Sequence, residues 1–287
     1  MAELNRTAKS GSEWTINELL AYRIIFKSIS PIQFFSSPNP SLDHLDPAVL
    51  EAAPGTIDAQ MSKQTVIFLS SLDFAIVGNY RAYIDDFARE TLYLLGFADR
   101  YMVISTRHTI PLTICGKTSE TAETNVCIVY LPRPTLILLV LVTDDSTSSG
   151  GTNAEAQVVA GAVAAFQFNN NNRESLNLAP MEVMTIPCIT LSGTSPTFYL
   201  VPVSQSLSNA VATGQYPPTQ TDVFKCVTSL DASDSIGMGN TEYRRLALQR
   251  FLAFKILAES HWKEIVQGVH DVLSKLLQVP CSLRVSC

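Results

Sequence analysis

The apolar positions of this 287-residue chain fall into two periods, one helical and one alternating. From Tyr83 to Gly96, the positions Ile84, Phe87, Ala88, Thr91 and Leu95 recur at three- and four-residue spacing. That spacing predicts a first core helix with one stripe facing inward, and Gly96 is a natural stop. Short runs follow at Tyr101–Ser105, Thr109–Cys115, Asn125–Leu131 and Leu136–Val142, all read as strands. Gly116–Glu123 reads as a polar turn, and Pro132-Arg133-Pro134 separates the last two strands. Leu136–Val142 is unbroken in its apolarity, which fits a strand buried on both faces.

The helical period returns at Glu155–Phe166, where Val158, Val159, Ala162, Val163 and Phe166 share a face, and the run Asn169–Asn172 is expected to end it. Val183–Leu191 and Thr197–Val203 read as two more strands, and one or two helices fit Thr241–Gln278. Near the start, Thr15-Ile16-Asn17-Glu18 has capping-box spacing and predicts a short helix through Tyr22. Residues 29–57, rich in Ser, Pro and Asp, read as an irregular arm rather than a core element. Val66–Phe68 fits either a short strand or the start of a helix. The organisation expected is an N-terminal helix and arm over 1–57, one α/β domain over 58–278, and a tail over 279–287. Its fold class is α/β, a central mixed sheet flanked by helices with a helical C-terminus.

Composition narrows the classes. Apolar residues make up 46% and charged ones 16%, a globular balance. A net charge of -6 argues against the usual strongly basic nucleic-acid binder, although a local basic groove remains compatible with it. Arg244, Arg245, Arg250 and Lys255 in the C-terminal helical region are the candidates for such a groove, with a solvated helix face as the plainer reading. The six cysteines (115, 127, 188, 226, 281 and 287) form no Cys-x-x-Cys pair, so a disulfide or zinc framework is not expected. The longest apolar run is far too short to span a bilayer. Met1–Ser12 carries no apolar signal core, so the expected location is intracellular, cytoplasmic or nuclear. Glycine-rich phosphate loops, nucleophile elbows and His-Glu-x-x-His are missing from the sequence.

One region carries candidate chemistry. Thr124-Asn125-Val126-Cys127-Ile128 and the strand ending in Thr143-Asp144-Asp145-Ser146 each place a polar group at the end of an apolar run. Two such strands are how a metal-dependent nuclease core presents its carboxylates. The order helix, strand, strand with acid, strand with acid-x-Lys and helix with Gln resembles the PD-(D/E)XK nuclease fold, the core of restriction endonucleases. The chain is also similar to a protein family abundant in mushroom-forming fungi (basidiomycetes), over most of residues 6–255. The stretches that carry this likeness are Arg6–Tyr22, Ile110–Gly116 and Glu155–Gln167.

The resemblance implies an acid where this chain has Asn125, keeps an acid at Asp144, and implies a lysine where this chain has Ser146. Gln157 matches the accompanying glutamine, and Asp86 and Glu90 on the first core helix are candidates for a further acid. A hard Mg²⁺ ion needs several oxygen ligands with compensating charge, and the lysine would orient or deprotonate a water. Asn125 removes a full negative charge, and Ser146 supplies no cation. The metal candidates are therefore Asp144, Asp145, Asp86 and Glu90, each with a bland alternative as a solvated acid. A register shift that replaces Asp144 by Asp145 is also open. Arg107 and His108 read as a polar turn between strands, and His261 and His270 as core or surface residues without a second ligand.

Three functions follow from this set. The first is a nuclease-like protein with a degraded metal site, kept as a binding or interaction module with no cofactor. The second is an active Mg²⁺-dependent nuclease working through Asp144, Asp145 and a helix acid. The third is a structural or partner-binding protein unrelated to nucleic acid. Nucleic acid and a protein partner are both open, and no membrane is expected.

Overall fold

The computed structural model describes residues 7–78, 80–131, 135–144, 152–229 and 237–278. Within them the strands are β1 (Ile24–Ser28), β2 (Met102–Ile114), β3 (Lys117–Tyr130), β4 (Leu136–Asp144), β5 (Val183–Ser192), β6 (Ser195–Ser204) and β7 (Thr221–Val227). They form one sheet in the order β1-β7-β6-β5-β4-β3-β2. Hairpins β2–β3, β3–β4 and β5–β6 are antiparallel, β4 runs parallel to β5, and β1 closes the other edge parallel to β7. The fold is thus α/β with a mixed sheet flanked by helices, as the pattern of periods implies.

The helices are α1 (Ile16–Ala21), α2 (Pro31–Phe34), α3 (Pro47–Glu51), α4 (Lys63–Val77), α5 (Arg81–Leu94), α6 (Thr152–Ser175), α7 (Gln205–Thr213) and α8 (Thr241–Gln278). The crossover helix α6 covers one sheet face, where Gly161 lies so near Val140 that a Cβ would come within 2.8 Å of its Cγ1. On the opposite face Phe198 of β6 packs on Phe251 and Phe254 of α8, at 5.2 and 4.9 Å between ring centroids. Between these layers, Leu136–Val142 is buried throughout, as its sequence implies for a central strand. No helix among the described residues is long and apolar enough to cross a membrane.

Several elements depart from the sequence expectation, each for a visible reason. The strands expected at 101–105 and 109–115 are one strand, and Arg107 within it takes a left-handed φ of 51°. The supposed polar turn 116–123 is mostly the outer half of β3, because Cys115 and Gly116 alone make the reversal with φ of 50° and 76°. Helix α6 does not stop at Asn169 but continues to Ser175. Its asparagines spend their amides on neighbouring backbone: Asn169 on Ile137, Asn170 on Met181 and Asn172 on Thr135. That outward bonding offsets their poor helix propensity.

The segment expected as an irregular arm has only the short helices α2 and α3, yet Phe34, Phe35, Leu42, Leu45, Val49 and Leu50 are buried in the core. Arg244 is itself fully buried and donates to the carbonyls of Val49 and Ala52 at 3.1 and 2.8 Å, and Arg250 holds Pro38 and Asn39. Lys255 reaches the Leu95 carbonyl at 3.3 Å. Three of the four basic residues considered for a nucleic-acid groove therefore fasten backbone, which is a correction to that reading. The Thr15 capping box is present as expected, and the ambiguous Val66–Phe68 belongs to α4.

Candidate functional site

The carboxyl end of β4 opens into a cavity of about 570 Å³ lined by Ser12, Arg81, Ala82, Asp85, Arg107, Thr109, Glu123, Thr124, Asn125 and Gln157. Two sequence candidates, Asn125 and Gln157, are brought together here. Asn125 stands on β3, and its Oδ1 accepts from the Thr143 amide at 3.1 Å and from Arg81 Nη2 at 3.2 Å. Gln157 on α6 donates to the Ser12 carbonyl at 3.2 Å, tying the N-terminal segment over one side of the cavity.

Arg81 and Asp85 are the residues that sequence reasoning missed. They sit one turn apart at the start of α5, and the expected helix began two residues too late to include Arg81. The guanidinium donates through Nη2 to the Thr143 carbonyl at 2.7 Å, and its Nε lies 3.4 Å from Thr143 Oγ1. Asp85 is buried and accepts from Thr143 Oγ1 at 2.5 Å. One available signal was position: Asp85 lies four after Arg81 and three before the core-facing Ala88, so it flanks the apolar stripe. The left-handed Arg107 adds a second guanidinium to the lining from within an otherwise regular strand.

The other candidates lie elsewhere. Asp86 and Glu90 line a separate groove between α4 and α5 and pair with Arg89 at 3.9 and 2.8 Å. The helix acid that reaches the cavity is thus Asp85, because Asp86 is turned about 100° further round the helix. Asp144 ends β4, pairs in register with Ser192, and accepts from the Gly193 amide through its carbonyl at 3.0 Å. Strand alternation puts its side chain on the face opposite to Thr143, and it does not line the cavity. Asp145 and Ser146 lie outside the described residues, as do Cys281 and Cys287.

Among the described residues, the donor set does not fit a hard divalent ion. The Asn125 oxygen already accepts from two N–H groups, one of them cationic. Among the described residues, no group of three or more His, Cys, Asp or Glu side chains is placed to hold a metal. Cys127 and Cys226 are pushed up to about 12 and about 11 by burial, so both stay thiols at neutral pH. His108 is moved below the ordinary imidazole range by burial, and His270 Nδ1 lies 3.0 Å from the Tyr130 hydroxyl. What the arrangement can do is hold a polar ligand: it offers two guanidiniums, two carboxylates, hydroxyls and amides in one opening. Comparison of the sequence with protein-family profiles and with curated proteins gives no match.

Proposed function

We propose that this chain is a nuclease-like protein of the PD-(D/E)XK type whose metal site has been lost, and that it works as a non-catalytic binding module. The observation that carries this reading is the position of Arg81. Its guanidinium rests on Asn125 Oδ1 and the Thr143 carbonyl, against the position where the resemblance implies a metal-binding acid. A fixed internal cation there satisfies the oxygen atoms that remain once the acid at position 125 is an amide. It also repels a second cation. Mixed-sheet order and the crossover helix after β4 are compatible with a restriction-endonuclease-like core.

The cavity lining favours a polar, charge-balanced ligand group over a nucleic-acid backbone. Arg81 and Arg107 are matched by Asp85 and Glu123, and a polyanion is held by an excess of cations. A protein or small-molecule group carrying both donors and acceptors suits it better.

Calorimetric titration of Mn²⁺ and Mg²⁺ tests the reading. The wild type is expected to show no saturable binding up to millimolar metal. The double variant Arg81→Ala with Asn125→Asp, which vacates the cation position and restores the acid, is expected to gain Mn²⁺ binding. Micromolar binding by the wild type that vanishes in Asp144→Ala would sink the proposal and favour an active Mg²⁺-dependent nuclease.

A further inference from the structure

We infer that the cavity at the carboxyl end of β4 takes a free, neutral polar amino acid, with its carboxylate on Arg81 and its ammonium on Asp85. The inference rests on the reading of this chain as a binding module and names the ligand class of that same cavity.

Thr143 sets the spacing. Its Oγ1 lies 2.5 Å from Asp85 Oδ1 and 3.4 Å from Arg81 Nε. Acid and guanidinium thus stand on two sides of one hydroxyl, yet no ion pair joins them. An α-amino acid carries its carboxylate and ammonium on one carbon, so it suits a cation and an anion held close but apart. Each of the two groups has capacity left. Arg81 uses Nε and Nη2 on Thr143 and Asn125, and its Nη1 makes no hydrogen bond among the described residues. Arg81 and Ala82 line the cavity from the first turn of α5, where Tyr80 at the N-cap supplies no side-chain cap. A carboxylate there meets a guanidinium and the amide end of a helix together. Asp85 is only 7% exposed and has no cation beside it, so an ammonium gives it the partner that a buried carboxylate lacks.

The rest of the lining selects the side chain. Arg107 and Glu123 make no ion pair among the described residues, and with Arg81 and Asp85 they bring the lining to balance. An amide side chain both accepts from a guanidinium and donates to a carboxylate. A charged side chain leaves one of the two facing its own sign, and a phosphate meets two acids as like charges. The cavity, about 570 Å³, falls within the roughly 300–1,000 Å³ of small-molecule sites.

An NMR shift titration of L-glutamine into the full chain is the test. Saturable shifts with a Kd of about 1 mM or tighter are expected. N-acetyl-L-glutamine, which lacks the ammonium, and the α-amide of L-glutamine, which lacks the carboxylate, are each expected to bind about 10- to 100-fold more weakly. Asp85→Asn should weaken L-glutamine by a similar factor. Circular dichroism checks that this variant folds, and Arg81→Gln, at an exposed position, repeats the test if it does not. No saturable shift up to about 10 mM overturns the inference. So does equal binding of the two blocked compounds, or full affinity in both variants. Titration with Mn²⁺ separates the two failures. A wild type that binds neither glutamine nor Mn²⁺ overturns this inference alone, whereas micromolar Mn²⁺ binding overturns the reading on which it rests.

Discussion

At the amino end of β4, one neutral side chain closes the backbone. Asn169, fully buried on α6, donates to the Ile137 carbonyl at 2.8 Å and accepts its amide at 2.8 Å. Next to it, the Trp262 indole donates to the Leu138 carbonyl at 2.7 Å. At the carboxyl end of the same strand, Thr143 is served by an amide, a guanidinium and a carboxylate from β3 and α5, and a cavity begins there. Both ends have their polar groups satisfied. The closed end achieves it without formal charge and far from water. The open end keeps charged groups beside solvent, where their desolvation is partial and they stay available to a ligand. The difference separates a polar contact that holds the fold from one that is positioned for binding.

The largest effect should come from breaking the closed end. Asn169→Leu removes both hydrogen bonds and leaves the Ile137 N–H and C=O buried without partners. Each unpaired group costs about 1–3 kcal/mol, so the loss should be about 2–6 kcal/mol in urea unfolding. A loss below about 1 kcal/mol would mean that water or a neighbour takes over the amide's role, and the two ends would then be less different than they look.

Arg81→Ala attacks the open end and should cost much less. Arg81 is an exposed residue, so its bonds to Asn125 and Thr143 compete with water. The expected loss is under about 1 kcal/mol by the same unfolding measurement. A loss as large as that of Asn169→Leu would make Arg81 a structural clasp, and its use as a resident cation would be secondary.

How much of this contrast was legible in the sequence depends on the kind of signal. Leu136–Val142 announced itself as a central strand because seven apolar residues in a row have no surface to share. Asn125 and Gln157 were found because each breaks or joins a recognisable order of elements. The continuation of α6 was hidden, since the runs of asparagine that hold its far end read locally as a helix breaker. Their partners, Ile137, Met181 and Thr135, are set by tertiary packing and leave no mark nearby in the chain. Strands β1 and β7 were missed for a similar reason, because strands of five and seven residues carry too few positions for alternation to show. On α5, Asp85 and Asp86 are equally acidic, and only the helix's rotation decides which reaches the cavity. Resemblance and spacing pointed to Asp86 and Glu90, whereas the burial of Ile84 and Ala88 turns Asp85 inward.

The smallest expected effect is a pH slope, and it probes the open end through His108. This residue of β2 is half-buried, pairs in register with the cavity-lining Thr124, and has Ser105 Oγ 3.4 Å from its Nδ1. Burial disfavours the imidazolium and lowers its pKa below the ordinary 6.5. Between those two values the unfolded chain binds the proton more readily than the folded one. The stabilising contribution is therefore complete above about pH 6.5 and is lost as pH falls towards the folded value. His261 on α8 behaves in the same direction, with burial the larger influence and Glu264 opposing it. Glu18 works in a lower window: its pKa is held below 4.5 despite burial, by Lys9 and Thr15, so its contribution disappears only in more acid solution. Thermal midpoints followed between about pH 5 and 7.5 should fall with acidification in the wild type, and the fall should be shallower in His108→Gln. His261→Gln should flatten it separately and additively, as distant sites do. An unchanged slope in His108→Gln would mean that the cavity end admits enough water to solvate the ring, making that end more open than its geometry suggests.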